Sequence, residues 1–234
     1  MRKREMIFQM VIISAFTLSA AALTAGRTAH LAGDAKTAAE LSVRYEELTA
    51  PDFIRAVAKS DSTCLIPLGI LEKHGPHLPL GTDLLDVREL ALRAARKEYA
   101  IVFPEYFVGQ IFEARHQPGT IAYSVTTMIT VLQETCDELA RNGIKKIVLI
   151  NGHGGNDQLL QYFCQTQLAS KKDYVVYLFD RSDDKSVDAK LAKFRKTTLD
   201  GHAGEEETSK MLANRPELVQ MDRANDQSGE DLNR

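Results

Sequence analysis

Cysteine is scarce in this chain, and its placement offers no sign of a thiolate metal site. Cys64, Cys136 and Cys164 are the only three in 234 residues. They lie in apolar contexts, strand-like for the first and helix-like for the other two. None has metal-ligand spacing. An odd count names no disulfide pair, although one bridge stays open if the chain is exported. Free buried thiols behave as small hydrophobes. Tryptophan is absent altogether. An excess of basic charge is missing too: the net charge is −3, so no positive field points to nucleic acid, and an enzyme acting on small molecules is compatible. Repeats and low-complexity tracts are also missing. What remains is an ordinary globular composition, 44% apolar and 26% charged, long enough for one α/β domain with a substantial core.

One stretch lacks charge entirely. Met1-Arg-Lys-Arg4 precedes a run from Met6 to Ala25 in which Gln9 is the only strongly polar residue. A basic start, an apolar centre and then small residues is the layout of a secretory signal peptide, with Ala20-Ala21-Ala22 as a small-x-small cleavage site. The run is about 20 residues, long enough to span a bilayer if retained. Residues 1–25 are therefore expected to be a signal peptide or an N-terminal anchor, with the protein exported (periplasmic or secreted) or held at the membrane. Residues 26–47 read as a polar lead-in, 48–222 as the folded domain and 223–234 as a polar tail.

Within that domain the apolar pattern alternates between strand and helix. Thr49-Ala-Pro-Asp52 opens a helix with proline in its first turn. Thr63–Gly69 is a continuously apolar run, as expected of a strand buried on both faces. Leu84, Val87, Leu90, Ala91 and Ala94 recur at helical spacing, which places Asp83 at or near an N-cap. Ala100–Pro104 reads as a second strand. Ser124 opens a long helix that ends at Asn142-Gly143, and strands follow at 145–150 and 174–179 with a helix at about 157–170 between them. Such alternation predicts an α/β fold with a mainly parallel sheet flanked by helices.

Five of the six histidines lie in or beside Gly- and Pro-rich loops. Glu72, His74, His77 and Asp83 share one segment, His153 sits in Asn151-Gly-His-Gly-Gly-Asn156, and His202 precedes Glu205-Glu206-Glu207. Carboxylates and imidazoles that can converge are what hard and borderline metal ions require. The first two segments fall at strand carboxyl ends, where parallel sheets gather their ligands. Plainer roles exist for individual members. Asp83 alone could be a helix cap worth about 1 kcal/mol, and Glu205–Glu207 an acidic first helical turn.

These segments resemble the signature blocks of the creatininase (creatinine amidohydrolase) family: Glu72-x-His74-Gly-x-His77 with Asp83, Asn151-Gly-His153-Gly-Gly-Asn156, and His202-Ala-Gly-x-x-Glu207-Thr-Ser. A fourth block, His116-Gln-Pro-Gly-Thr120, fits as well, and the resemblance runs from about Thr49 to Asp222. It implies a three-layer α/β/α fold and a dinuclear site. Glu72 and His153 would hold one divalent ion, His74 and Glu207 the other, and Asp83 would bridge them. The resemblance implies zinc, with manganese as the alternative at one position. It assigns His202 to proton transfer toward the leaving nitrogen. His77, His116, Asn151 and Asn156 would face the substrate or support the ligands.

The implied activity is hydrolysis of a non-peptide or cyclic C–N amide bond of a small molecule by a metal-activated water. A peptidase or deformylase acting on a modified peptide or purine-derived amide is a second reading. A catalytically silent metal-binding member is a third. A homo-oligomer, often a hexamer, is implied, and no nucleic-acid partner. Two departures bear on substrate. Creatinine-cleaving members carry a Glu where this chain has Gly155, and tryptophans line their pocket where this chain has none. Both point away from creatinine itself.

Overall fold

The apolar run at 63–69 forms β1, Thr63–Leu68, one of the two inner strands of a four-stranded sheet ordered β2-β1-β3-β4. β2 is Ile101–Val102, β3 Lys146–Asn151 and β4 Val175–Phe179. All three pairings are parallel. The computed structural model describes residues 40–179, 185–198 and 200–225. The N-terminal segment with its expected cleavage site, most of the lead-in and most of the tail lie outside them. Among the described residues no helix is long and apolar enough to cross a membrane.

Parallel neighbours need crossovers, and helices supply them. α1 (Ala50–Lys59) precedes β1; α2 (Thr82–Lys97) links β1 to β2, α3 (Val125–Arg141) links β2 to β3, and α4 (Asp157–Thr166) links β3 to β4. α5 (Lys185–Phe194) and α6 (Glu205–Asn214) follow. The helix starts read from the sequence have real caps. Thr49 Oγ1 accepts from Asp52 N–H at 3.3 Å, and Ser124 Oγ accepts from Thr127 N–H at 3.2 Å. α3 stops at Gly143, whose φ of +98° is a left-handed value that glycine adopts without strain.

Strand side chains alternate between two cores, one on each face. Cys64, Ile66, Leu68, Ile147 and Leu149 pack with Leu132, Cys136 and Leu139 of α3 and Leu160 and Phe163 of α4. Leu65, Val102 and Ile150 pack with Val87, Ala91, Leu92 and Ala95 of α2. Two covered faces make three layers, as the resemblance implied. The buried stripe of α2 runs through Leu92 and Ala95, while Ala94, read as apolar-periodic, is exposed. All three cysteines are free. Burial pushes their thiols above the usual range, so they act as core filler.

The last part of the lead-in belongs to the fold. Leu41, Tyr45 and Leu48 pack on the first core, Val102 N–H donates to Val43 O at 2.7 Å, and Arg88 pairs with Glu46. These residues look polar in the sequence because few of them are apolar. Pairing beside β2 is a tertiary event that local composition does not announce.

β1 connects to β2 on one side, and the chain then crosses to β3 on the other. The carboxyl ends of β1 and β3 thus flank the switch point where open α/β sheets bind ligands. Two glycines let the start of α2 settle there. A Cβ on Gly69 would lie 2.5 Å from Leu84 N, and one on Gly152 would lie 2.6 Å from Val87 Cβ. Backbone cannot yield as a side chain can. Gly69→Ala is expected to destabilise the protein by about 3 kcal/mol, measured by urea unfolding. A loss under about 0.5 kcal/mol, the range of inconsequential substitutions, would show that this close approach is not needed.

Candidate functional site

Four segments converge at that switch point. The loop after β1 brings Glu72 and His74, the first turn of α2 brings Asp83, the loop after β3 brings His153, and the first turn of α6 brings Glu207. The N-cap of α2 is Gly81, so Asp83 stands inside the helix. Its carboxylate points to the cluster instead of capping the helix. α2 packs against α6, which fixes Asp83 relative to Glu207.

Asp83 organises the geometry. Its Oδ1 lies 3.1 Å from His74 Nε2, and its Oδ2 lies 3.0 Å from His153 Nδ1. Glu72 Oε1 is 3.1 Å from His153 Nδ1, and Glu207 Oε2 is 3.8 Å from His74 Nε2. The ligand atoms form two trios that share Asp83: Glu72, Asp83 and His153, and His74, Asp83 and Glu207. Glu72, His74 and Asp83 are 3%, 1% and 4% exposed.

Isolated buried carboxylates are costly, so the way these are satisfied is informative. Glu72 Oε1 and Asp83 Oδ2 have no hydrogen-bond partner despite their short distances to His153. Contacts this close but poorly directed indicate lone pairs aimed at a common point rather than at one another. Three oxygen- or nitrogen-bearing groups around each of two points, with carboxylate and imidazole mixed, fit a borderline divalent cation.

Without metal, the cluster holds itself together by charge. Burial pulls the His153 imidazole down, but Asp83 and Glu72 outweigh it and raise the pKa to about 10. His74 follows the same pattern, burial opposing and Asp83 raising. Burial works against the Asp83 anion, and the two histidines more than reverse it, holding that carboxyl below its ordinary range. Burial raises Glu207, against the attraction of His74. A cation that takes His153 Nδ1 must displace a proton bound at any pH below about 10. Affinity should therefore rise with pH, by about tenfold per unit between pH 6 and 9 for one displaced proton. Chelator competition across that range checks this. A flat profile would mean that His153 does not give up a proton to the metal.

His202 lies beside the cluster, against His74 and Glu72. Its ring sits 4.4 Å from that of His74, its Nε2 donates to Lys73 O at 2.6 Å, and its side chain is 51% exposed. The carbonyl can only accept, so Nε2 carries the hydrogen and a neutral ring keeps Nδ1 as an acceptor. Ala203 beside it holds φ at +56°, uncommon for a residue with a Cβ, and its N–H donates to Glu207 Oε2. His77 supports rather than joins the cluster: its Nε2 meets Thr208 Oγ1 at 2.9 Å, tying the β1 loop to α6. Asn151 and Asn156 are also braces. Asn151 Nδ2 donates to Asp157 Oδ1 at 2.6 Å, and buried Asn156 accepts Gln110 N–H at 2.8 Å. His116 is exposed beside Gln117 and falls in none of the ligand groupings.

A cleft of about 440 Å³ opens beside the cluster, lined by Asp83, His153 and Glu207 and further out by Asp86, Asp157, Arg195, Asp200 and Lys210. No Phe, Tyr or Trp is among its described lining residues. Arg195 pairs with Asp200 at 3.2 Å, so the outer wall carries both signs of charge. None of these wall residues carries a sequence signal of its own. Their charges look like ordinary surface until α6 is folded against α2.

The family model described as creatinine amidohydrolase matches residues 46–234. Creatinine amidohydrolase of Pseudomonas putida is 31% identical over 199 residues, 79% of this chain and 76% of that protein. Mycofactocin precursor peptide peptidase of Mycolicibacterium smegmatis is 30% identical over 68% of this chain and 60% of its own length. A 2-amino-5-formylamino-6-ribosylaminopyrimidin-4(3H)-one 5'-monophosphate deformylase from Methanothermus fervidus is 36% identical over 104 residues, 42% of this chain and 40% of that enzyme. Solved creatininase structures, including a Zn-Zn mutant form and a Mn form, each cover 80% of this chain and 77–78% of their own, at 30–31% identity and a TM-score of 0.68. With this parallel fold and this convergence of residues, the chain belongs to the creatininase family of hydrolases.

Proposed function

We propose that the chain hydrolyses a C–N amide bond of a small polar molecule at a site for two divalent metal ions. The observation that carries this is Asp83, whose two carboxylate oxygens face two different histidines, each with its own glutamate. In this reading Glu72 and His153 would hold one ion and His74 and Glu207 the other, with Asp83 shared between them. Zinc is the proposed occupant, with manganese as the alternative at one position. Zn-Zn and Mn forms of creatininase are consistent with both. Bound there, such a pair would lower the pKa of water toward neutrality and polarise a carbonyl.

The chain's own groups do the rest. The carboxylates and imidazoles keep the centre fixed before substrate arrives, so little reorganisation is needed during reaction. The polar cleft wall holds the substrate beside the cluster. His202, whose half-exposed ring lies against His74, would take up a proton on Nδ1 and return it to the departing nitrogen, with Lys73 O keeping the ring in one tautomer.

A second reading, peptidase or deformylase, is favoured by the peptidase and deformylase relatives and by a cleft wall without aromatic residues. One experiment addresses both. Metal analysis of the purified protein is followed by turnover on cyclic amides, N-formyl compounds and short peptides. Two divalent ions per chain with turnover of cyclic amides supports the first reading. Turnover confined to peptides or formyl compounds supports the second. Absence of stoichiometric metal sinks both, and full metal without turnover of any class leaves a silent metal-binding member.

Export is part of the proposal, supported by the basic-then-apolar start of the sequence; the N-terminal residue of the mature protein tests it. Homo-oligomer formation is supported by the exposed Val175, Tyr177 and Phe179 on edge strand β4, and sedimentation measures it.

A further inference from the structure

The second nitrogen of His153 has no partner. Nδ1 faces Glu72 and Asp83, while Nε2 is buried without a hydrogen bond in a side chain only 9% exposed. Whenever the Nδ1 lone pair is used on a cation, the proton of the neutral ring must sit on Nε2. That N–H then needs an acceptor, and metal-ligating histidines usually give it to a carboxylate, a carbonyl or water.

Gly155 leaves room for one. The point that a Cβ at position 155 would occupy is 2.5 Å from His153 Nε2 and 2.9 Å from Glu113 Oε1. Both groups border the space of the missing side chain, together with the backbone carbonyl of Gln110 at 3.1 Å from the same point. Glu113 is not loose. Its Oε2 accepts from Gln110 Nε2 at 3.0 Å, Gln110 Oε1 accepts from Phe112 N–H at 2.8 Å, and Gln110 N–H donates to the buried Asn156 Oδ1 at 2.8 Å. Oε1 is the oxygen left over on the side toward His153.

We propose that Glu113 is a positioning residue. Its carboxylate accepts Nε2–H of His153 and so fixes the tautomer that offers Nδ1 to the metal, and Gly155 keeps the approach open. A rotation of the Glu113 side chain makes the contact. This inference rests on the reading of Glu72, Asp83 and His153 as a metal trio.

The test is zinc binding by the metal-stripped protein in competition with a chelator, with the melting temperature of each metal-free variant recorded alongside. Glu113→Ala is expected to weaken one of the two zinc equivalents by about 10–100-fold and to leave the other and the melting temperature unchanged. Glu113→Gln, whose amide oxygen can still accept Nε2–H, should recover most of that loss. Gly155→Ala, which inserts a methyl between the two groups, should reproduce it. Zinc affinities within twofold of wild type in Glu113→Ala overturn the proposal. So does equal weakening of both equivalents with a lower melting temperature, the mark of a general structural role. A Glu113→Gln variant as weak as Glu113→Ala also overturns it, because the acceptor role would then not be what matters. Wild-type protein that takes up no zinc refutes the parent reading; two equivalents with an indifferent Glu113→Ala refutes this inference alone.

Discussion

Asp83→Ala is expected to empty both proposed metal positions at once and to cut turnover by on the order of 10³-fold or more, the scale on which losing a preorganised electrostatic group acts. The reason is topological. Each trio has one glutamate and one histidine of its own, and both draw their third group from Asp83. Removing it leaves two ligands per ion, and two-ligand sites do not compete with water for divalent cations. The vacated space also leaves His74 and His153 beside Glu72 and Glu207 without the central anion that holds them. Metal analysis after equilibration with excess zinc, together with kcat on whichever substrate class is turned over, checks the outcome. Retention of one full equivalent would show that the trios are independent and that Asp83 does not bridge. A helix-cap role, by contrast, would cost about 1 kcal/mol of stability and no metal. The observed N-cap is Gly81, so that small effect is not expected from Asp83.

The strand–helix alternation was legible because buried parallel strands read as unbroken apolar runs and α3 carries both a serine start and a glycine stop. The five clustered candidate residues stood out in the sequence for a different reason. Glutamate and histidine among Gly and Pro have no periodicity that would make them core or ordinary surface. Asp83 was ambiguous in the sequence, since an aspartate at a helix start has a sufficient local role. Only the close approach allowed by Gly69 and Gly152 turns its carboxylate to the cluster. Glu113 was invisible. It lies in a loop without pattern, and its relation to His153 depends on the space left by Gly155 and on the brace from Asn156. Residues 41–47 read as a polar lead-in because their contacts, Leu41 and Tyr45 on the first core and Val43 beside β2, depend on partners far along the chain. His116, expected to face substrate or support the ligands, is exposed beside Gln117.

His202→Ala is expected to leave metal content unchanged and to lower kcat by about 10²–10⁴-fold, the usual contribution of a positioned proton-transfer group, with KM moving little. Three observations support a mobile proton here rather than a ligand. The side chain is half exposed, whereas Glu72, His74 and Asp83 are almost fully buried. Its Nε2 is already committed to Lys73 O at 2.6 Å, which leaves Nδ1 as the free acceptor. Its ring lies against His74, next to one trio but outside both that share Asp83. The competing role is real, because Glu72, His74 and His202 also come close enough to form a ligand group. The two roles separate cleanly in experiment. If His202 moves protons, the variant keeps its zinc, and added imidazole, which can enter the exposed position, restores part of kcat. If His202 is a ligand, zinc is lost in step with activity and imidazole restores metal before rate. Unchanged kcat at full metal content would remove His202 from the chemistry and leave proton transfer to Glu72 or Glu207.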